Sequence, residues 1–202
     1  MANQFGHYVN GLATWRDLEG PIFPKVAGAG QPTFDELFVG SAHQVPFFQA
    51  NDIASLCFHM PHDWLQGSDL YLHAHWCHNG TAISGSLVLE YQVSFAKGHN
   101  QENFSAPITI TQTISTPNIA TVPRYRHRID EFQLSAASPS ATQLDSDALE
   151  VDGLILVSIK PTTIPTITGG TPNQPAILFV DMHYQSSNIG TRNKSPSPDF
   201  YT

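Results

Sequence analysis

Charge is the first thing this sequence is short of. Lys, Arg, Asp and Glu together make 13% of its 202 residues, about half the usual share in a soluble domain. What charge there is leans acidic: nine Lys plus Arg stand against seventeen Asp plus Glu, a net charge of −8. A protein that tracks a phosphate backbone needs a concentrated basic surface, so nucleic acid is not an expected partner. Cysteine is scarce too. Cys57 and Cys77 are too few for a disulfide scaffold, and the sequence leaves open whether they pair. No apolar run approaches the length of a membrane span. Met1 to Trp15 has no basic stretch followed by an apolar one, so no leader peptide is expected, and synthesis and assembly in a cytoplasm are. No period of 2 or 3.6 holds over residues 2–31, and Pro and Gly between the apolar runs fit a sheet protein and not a helical bundle.

What is present points to sheet. Apolar residues make up 41% of the chain, with twelve Phe, six Tyr and three Trp spread along it, too much apolar surface for disorder. Fifteen Pro and fourteen Gly fall between the apolar runs, where turns belong. The uncharged polar remainder is Ser, Thr, Asn and Gln, a surface that desolvates cheaply against a partner.

Period-two alternation recurs along the chain. Residues 52–60 place Ala54, Leu56, Phe58 and Met60 on one face. Residues 69–77 place Leu70, Leu72, Ala74 and Trp76 on one face, with Tyr71, His73, His75 and Cys77 on the other. Residues 86–96 align Leu87, Leu89, Tyr91, Val93 and Phe95. With 45–49, 108–114, 124–134, 153–160 and 176–185, this predicts about eight half-buried antiparallel strands. The expected fold is all-β, an antiparallel two-sheet sandwich of jelly-roll type over residues 32–185. Residues 1–31 read as an N-terminal arm and 186–202 as a C-terminal tail closing on Phe200 and Tyr201. Residues 33–38 offer the one helical turn, with Thr33 and Glu36 as a capping box. Residues 135–147 and 161–175 read as long surface loops or contact arms.

Ten histidines invite a search for chemistry. On an alternating strand His73 and His75 share a side, and His59 and Cys57 would join them if strand 52–60 lay alongside; imidazole and thiolate are zinc ligands. Gly67, five residues and then His73-Ala74-His75 is similar to the opening of the cupin metal motif. Asn79 and Gly80 stand where that motif needs a glutamate, and no second motif follows. Strand histidines that hydrogen-bond across a pleat or line a contact are the simpler reading. There is no Gly-x-Ser-x-Gly elbow, and adjacent Asp130 and Glu131 face opposite sides of a strand. No catalytic residue, cofactor or metal ligand is therefore assigned. Arg124, Arg126 and Arg128 read as a row on one strand face, able to bond carboxylates of a neighbouring subunit. With Phe200 and Tyr201 they are the interface candidates.

Several stretches together carry a resemblance. They are Phe58-His59-Met60-Pro61-His62-Asp63-Trp64, Gly67-Ser68-Asp69-Leu70-Tyr71-Leu72-His73-Ala74-His75-Trp76, Tyr125-Arg126-His127-Arg128-Ile129-Asp130, and Asp181-Met182-His183-Tyr184-Gln185-Ser186 with Asn188-Ile189-Gly190-Thr191. From Trp15 to Tyr201 the chain resembles a family of tailed-bacteriophage virion structural proteins. The resemblance implies a virion component, either a capsid cement (decoration) protein on the capsid exterior or a part of the tail or fibre apparatus. With no repeat, coiled segment or active site in the sequence, the non-enzymatic cement reading is preferred. It would be a homotrimer bound to the phage major capsid protein, touching neither nucleic acid nor membrane. A tail or fibre component, a cupin-like metal-binding protein and a sugar-binding module with Trp64 and Trp76 as platforms are the alternatives.

Overall fold

Alternating apolar residues become strands when one face can be buried, and here two sheets bury each other. The computed structural model describes residues 13–115 and 118–187. In chain order the strands are β1 (Thr14–Gly20), β2 (Phe23–Pro24), β3 (Thr33–Glu36), β4 (Gln44–Phe47), β5 (Ala54–His59), β6 (Tyr71–Cys77), β7 (Ala82–Ser84) and β8 (Ser86–Ala96). They continue as β9 (Ile108–Ser115), β10 (Arg128–Gln133), β11 (Ser135–Ala136), β12 (Leu144–Asp145), β13 (Leu154–Thr163), β14 (Thr166–Thr168) and β15 (Ala176–Ser186).

One sheet has the order β10-β6-β15-β4-β3, with β1 also paired to β15; the other runs β2-β5-β13-β8-β9. The β8–β9 hairpin stays within one sheet, whereas β4, β5, β6 and β8 alternate between sheets, as do β9, β10, β13 and β15. That alternation is the jelly-roll connectivity, two interlocked Greek keys. The antiparallel β-sandwich read from the sequence is the fold of the chain.

The core lies between the sheets. Leu72, Ala74 and Trp76 of β6 and Val180 and Met182 of β15 face Leu56 and Phe58 of β5, Leu89, Tyr91 and Val93 of β8, and Ile155, Val157 and Ile159 of β13. Each is at most 2% exposed, so truncating any large one removes packing worth about 2–5 kcal/mol. Trp76 brings a polar atom into this layer and has it satisfied: its Nε1 donates to Asp130 Oδ2 at 2.7 Å.

Four sequence expectations change. Thr33–Glu36 is an edge strand paired with β4, not a helical turn, and Glu36 accepts a bond from the Gly40 amide instead of closing a capping box. Residues 1–31 are not wholly an arm. β1 pairs with β15 at all seven of its residues, and β2 pairs with β5. β1 was hidden because it hydrogen-bonds along a sheet whose outer face is open, so it needs no apolar alternation. Its last residue, Gly20, reaches the interior, where a Cβ would lie 2.6 Å from the Phe58 ring. Residues 161–175 are not a free loop: β13 runs on to Thr163, β14 pairs with β7, and Asn79 Nδ2 donates to Thr171 O at 2.8 Å. Residues 124–127 precede β10 instead of opening it. Tyr125 has φ 61°, its amide donates to His78 O, and the Arg126 amide donates to Pro123 O, which makes a turn.

Candidate functional site

β6 departs from alternation. Six of its seven residues are buried, on both faces, although only one face meets the other sheet. The reason is the outer face of the six-stranded sheet, where the strand register gathers histidines and carboxylates into rungs. On one rung Glu131 of β10 lies beside His73 of β6, then Asp181 of β15, then Glu19 of β1. The next rung holds Ile129, His75 and Phe179. The third holds Gln133, Tyr71, His183 and Asp17.

Side chains link these rungs closely. His73 Nε2 lies 2.6 Å from Glu131 Oε2, and His73 Nδ1 lies 3.1 Å from Asp181 Oδ1. His75 Nε2 lies 3.0 Å from Asp181 Oδ2, and its Nδ1 lies 2.7 Å from His127 Nε2. His183 pairs with Asp17 and sets its ring edge-on to His73, 4.1 Å between centroids. Phe179 and His127 stack on His75 at 3.9 and 4.9 Å. These neighbours leave His73, His75 and Asp181 only 7%, 5% and 6% exposed, on a face that would otherwise be open to water.

Proton bookkeeping exposes one mismatch. A carboxylate only accepts, so His73 Nε2 must carry the hydrogen that it donates to Glu131. His75 Nε2–H likewise donates to Asp181 Oδ2, and His75 Nδ1 accepts from His127 Nε2–H. A neutral His73 then presents a bare Nδ1 lone pair to Asp181 Oδ1. That oxygen is buried and makes no hydrogen bond, although His73 Nδ1 lies 3.1 Å away. Two acceptors held together out of water are unfavourable unless a cation or a proton lies between them. Burial also pushes the His75 pKa down; Asp181 opposes the shift, and the neighbouring His127 and His73 add to it.

Of the remaining histidines, His78 is fully buried and satisfied. Its Nε2 donates to Val122 O at 2.9 Å and its Nδ1 accepts the Gly80 amide. His59 does not join His73, because β5 belongs to the other sheet. Instead His59, His62 and His99 turn their Nε2 atoms on one carboxylate, Asp152, at 3.4, 2.8 and 2.9 Å. Cys57 and Cys77 also sit in different sheets, and both are free. Cys77 packs with Phe47 and Ala176, and burial pushes its thiol up to about 11. A cupin-like interior centre is not formed, since His73 and His75 face away from an apolar core. Trp64 and Trp76 are 3% and 0% exposed and offer no platform to a sugar.

The expected arginine row does not form. Arg128 alone is in β10, and it is turned inward as a clamp: Nε and Nη2 donate to Asp130 Oδ2 and Oδ1 at 2.6 and 2.7 Å. Arg124 donates to Asn79 O at 2.6 Å and lies over the Tyr125 ring. Arg126 is exposed in the turn. Phe200 and Tyr201 lie outside the described residues. The sequence set His73 and His75 on one side of a strand, as they stand here. Asp17, Glu131, Asp181 and His183 were missed because they arrive from strands distant in sequence, and His127 because it comes from the turn segment before β10.

Exposed apolar side chains frame the same face. Trp15 is 48% exposed with Tyr71 edge-on at 5.6 Å, and Ile129 is 50% exposed. At the end where Leu37 packs on Phe47 and Cys77, Phe38 is 40% exposed against Tyr125.

No protein-family model matches the chain, and no curated protein does. Among solved structures it is similar to a family 11 carbohydrate-binding module from Clostridium thermocellum in complex with a β-1,3-1,4-mixed-linked tetrasaccharide. The identity is 9% and the TM-score 0.29, over 88% of this chain and 89% of that one. A likeness of that size says nothing about function, and the fold assignment rests on the strand order given above.

Proposed function

We propose that this chain is a non-enzymatic capsid cement protein of a tailed bacteriophage, using the outer face of its six-stranded sheet to pack against shell subunits. The observation that carries the reading is that face itself. Trp15, Ile129 and Phe38 stand exposed around a buried polar centre, and exposed aromatic surface of this kind marks a place of contact. The resemblance of the 58–64, 67–76, 125–130 and 181–191 stretches to virion structural proteins supplies the class of partner. Low charge and an uncharged polar surface fit a subunit that spends its life among neighbours.

The mechanism is mass action. A protein that binds only the assembled shell lowers that state's free energy by its own binding energy. Many copies of modest affinity hold the shell together against internal pressure. A rigid jelly roll suits this, because little order is lost on binding.

The test is to add purified protein to expanded shells lacking it, count bound copies by cryo-electron microscopy, and measure shell melting. Bound trimers and a raised shell melting temperature are expected. Trp15→Ser combined with Ile129→Ser should weaken binding tenfold or more, roughly the effect of losing an aromatic anchor, with the chain still folded. Bare shells, with the protein found on the tail, would replace cement by a tail role.

A further inference from the structure

We propose that His73, His75 and Asp181 form a binding site for one divalent transition-metal ion on the outer face of the six-stranded sheet. The three offer donor atoms that all lie within 4.8 Å of one another, and all three are buried. Two donors bound to the same zinc ion at tetrahedral geometry are roughly 3.4 Å apart. Asp181 Oδ1 lies 3.1 Å from His73 Nδ1, and Asp181 Oδ2 lies 3.0 Å from His75 Nε2, so little movement is needed.

Spacing alone would describe a hydrogen-bond network equally well, and the unpaired atom decides between them. Asp181 Oδ1 is buried without a bond, facing a His73 nitrogen whose partner nitrogen has spent its hydrogen on Glu131. A cation bound to both atoms removes the mismatch, as would a second proton on His73. The surroundings are those of a metal ligand set. Glu131 receives the second nitrogen of His73, and His127 touches the second nitrogen of His75. Such outer contacts orient imidazole ligands and fix their tautomers. On binding, His75 moves its hydrogen from Nε2 to Nδ1 and donates to His127 Nε2, so its own charge is unchanged. His127, 2.7 Å away, passes its former hydrogen to Nδ1.

Two imidazoles and one carboxylate favour zinc, cobalt, nickel or copper over calcium or magnesium. Three protein ligands leave a position for water or for a donor from a bound partner. The neighbouring trio of Asp17, His73 and His183 is the weaker choice: His183 is bonded to Asp17 and His73 Nε2 to Glu131. The competitor for the chosen site is a second proton on His73, which would bridge Glu131 and Asp181 as an imidazolium.

The experiment uses the full chain, stripped with a chelator and titrated with cobalt(II) chloride while visible absorption is recorded. One equivalent bound with tetrahedral d–d bands is expected. His75→Gln and Asp181→Asn should each weaken binding by about a hundredfold, and His127→Ala by about tenfold, as loss of an outer contact does. His59→Gln with His62→Gln, on the far cluster, should leave it unchanged. Long-range proton–nitrogen NMR on the wild-type chain, which needs no variant, reads His73 Nδ1 directly as zinc is added. A zinc-dependent shift of that nitrogen supports the site. The proposal is overturned by no cobalt binding, by binding that follows His59 and His62, or by a His73 Nδ1 that already carries a proton and ignores zinc.

Discussion

The two sheets of this sandwich show water very different faces. On the five-stranded sheet the outer side follows simple alternation: Ser55, Cys57 and His59 of β5 are exposed opposite buried Ala54, Leu56 and Phe58. Lys160 and Glu90 bridge neighbouring strands there at 2.7 Å, both partly exposed. On the six-stranded sheet the outer side buries His73, His75 and Asp181 and leaves a carboxylate oxygen unbonded. A surface that only needs to be wet is cheap to build from small polar groups. Burying charge and imidazole instead costs stability.

Changing each face in turn sharpens this contrast. The largest effect is expected at Asp181→Ala. It removes the hydrogen-bond acceptor of a buried His75 and a partner of His73, and should destabilise the metal-free chain by about 2–3 kcal/mol in urea melts. A change below 0.5 kcal/mol, estimated on the scale of exposed groups, would mean that the site is already strained enough to welcome the loss.

His75 offers a subtler handle. Burial holds its folded pKa below the usual 6.5, so the unfolded chain binds the proton more readily. Its contribution is therefore intact above about pH 6.5 and is lost as the pH falls below that value toward the lowered folded pKa. Melts of wild type and His75→Gln across pH 5–7.5 should show a shallower acid loss in the variant. An equal slope would move the acid sensitivity away from His75.

The smallest effect belongs to the opposite face. Glu90→Ala should cost no more than about 0.5 kcal/mol, as partly exposed ion pairs do, and salt should remove most of it. If it matched Asp181→Ala in the same melts, the distinction between the two faces would collapse.

Much of the fold could be read from local pattern. β8 was found at its observed limits because Leu87, Leu89, Tyr91, Val93 and Phe95 alternate without a break, and all face the core. β1 could not be found that way: five of its seven residues are exposed, and its strand state comes from hydrogen bonds to β15. The turn at 124–127 was also missed. Arg124-Tyr125-Arg126-His127-Arg128 alternates as a strand would, yet Tyr125 takes a left-handed conformation to reach His78.

The site divides along the same line. Sequence alone determined that this chain is a β-sandwich with its apolar residues inside, and that His73 and His75 share a side, because side-chain direction in a strand follows from period two. Only tertiary structure decided what meets them. Asp181 is 106 residues from His75, and His127 is 52 away. Their meeting depends on strand order and register, and a one-residue slip would turn every one of these groups to the other face. Whether a histidine pair is a surface detail or the centre of a buried polar cluster is therefore set by non-local pairing. No reading of neighbours along the chain contains it.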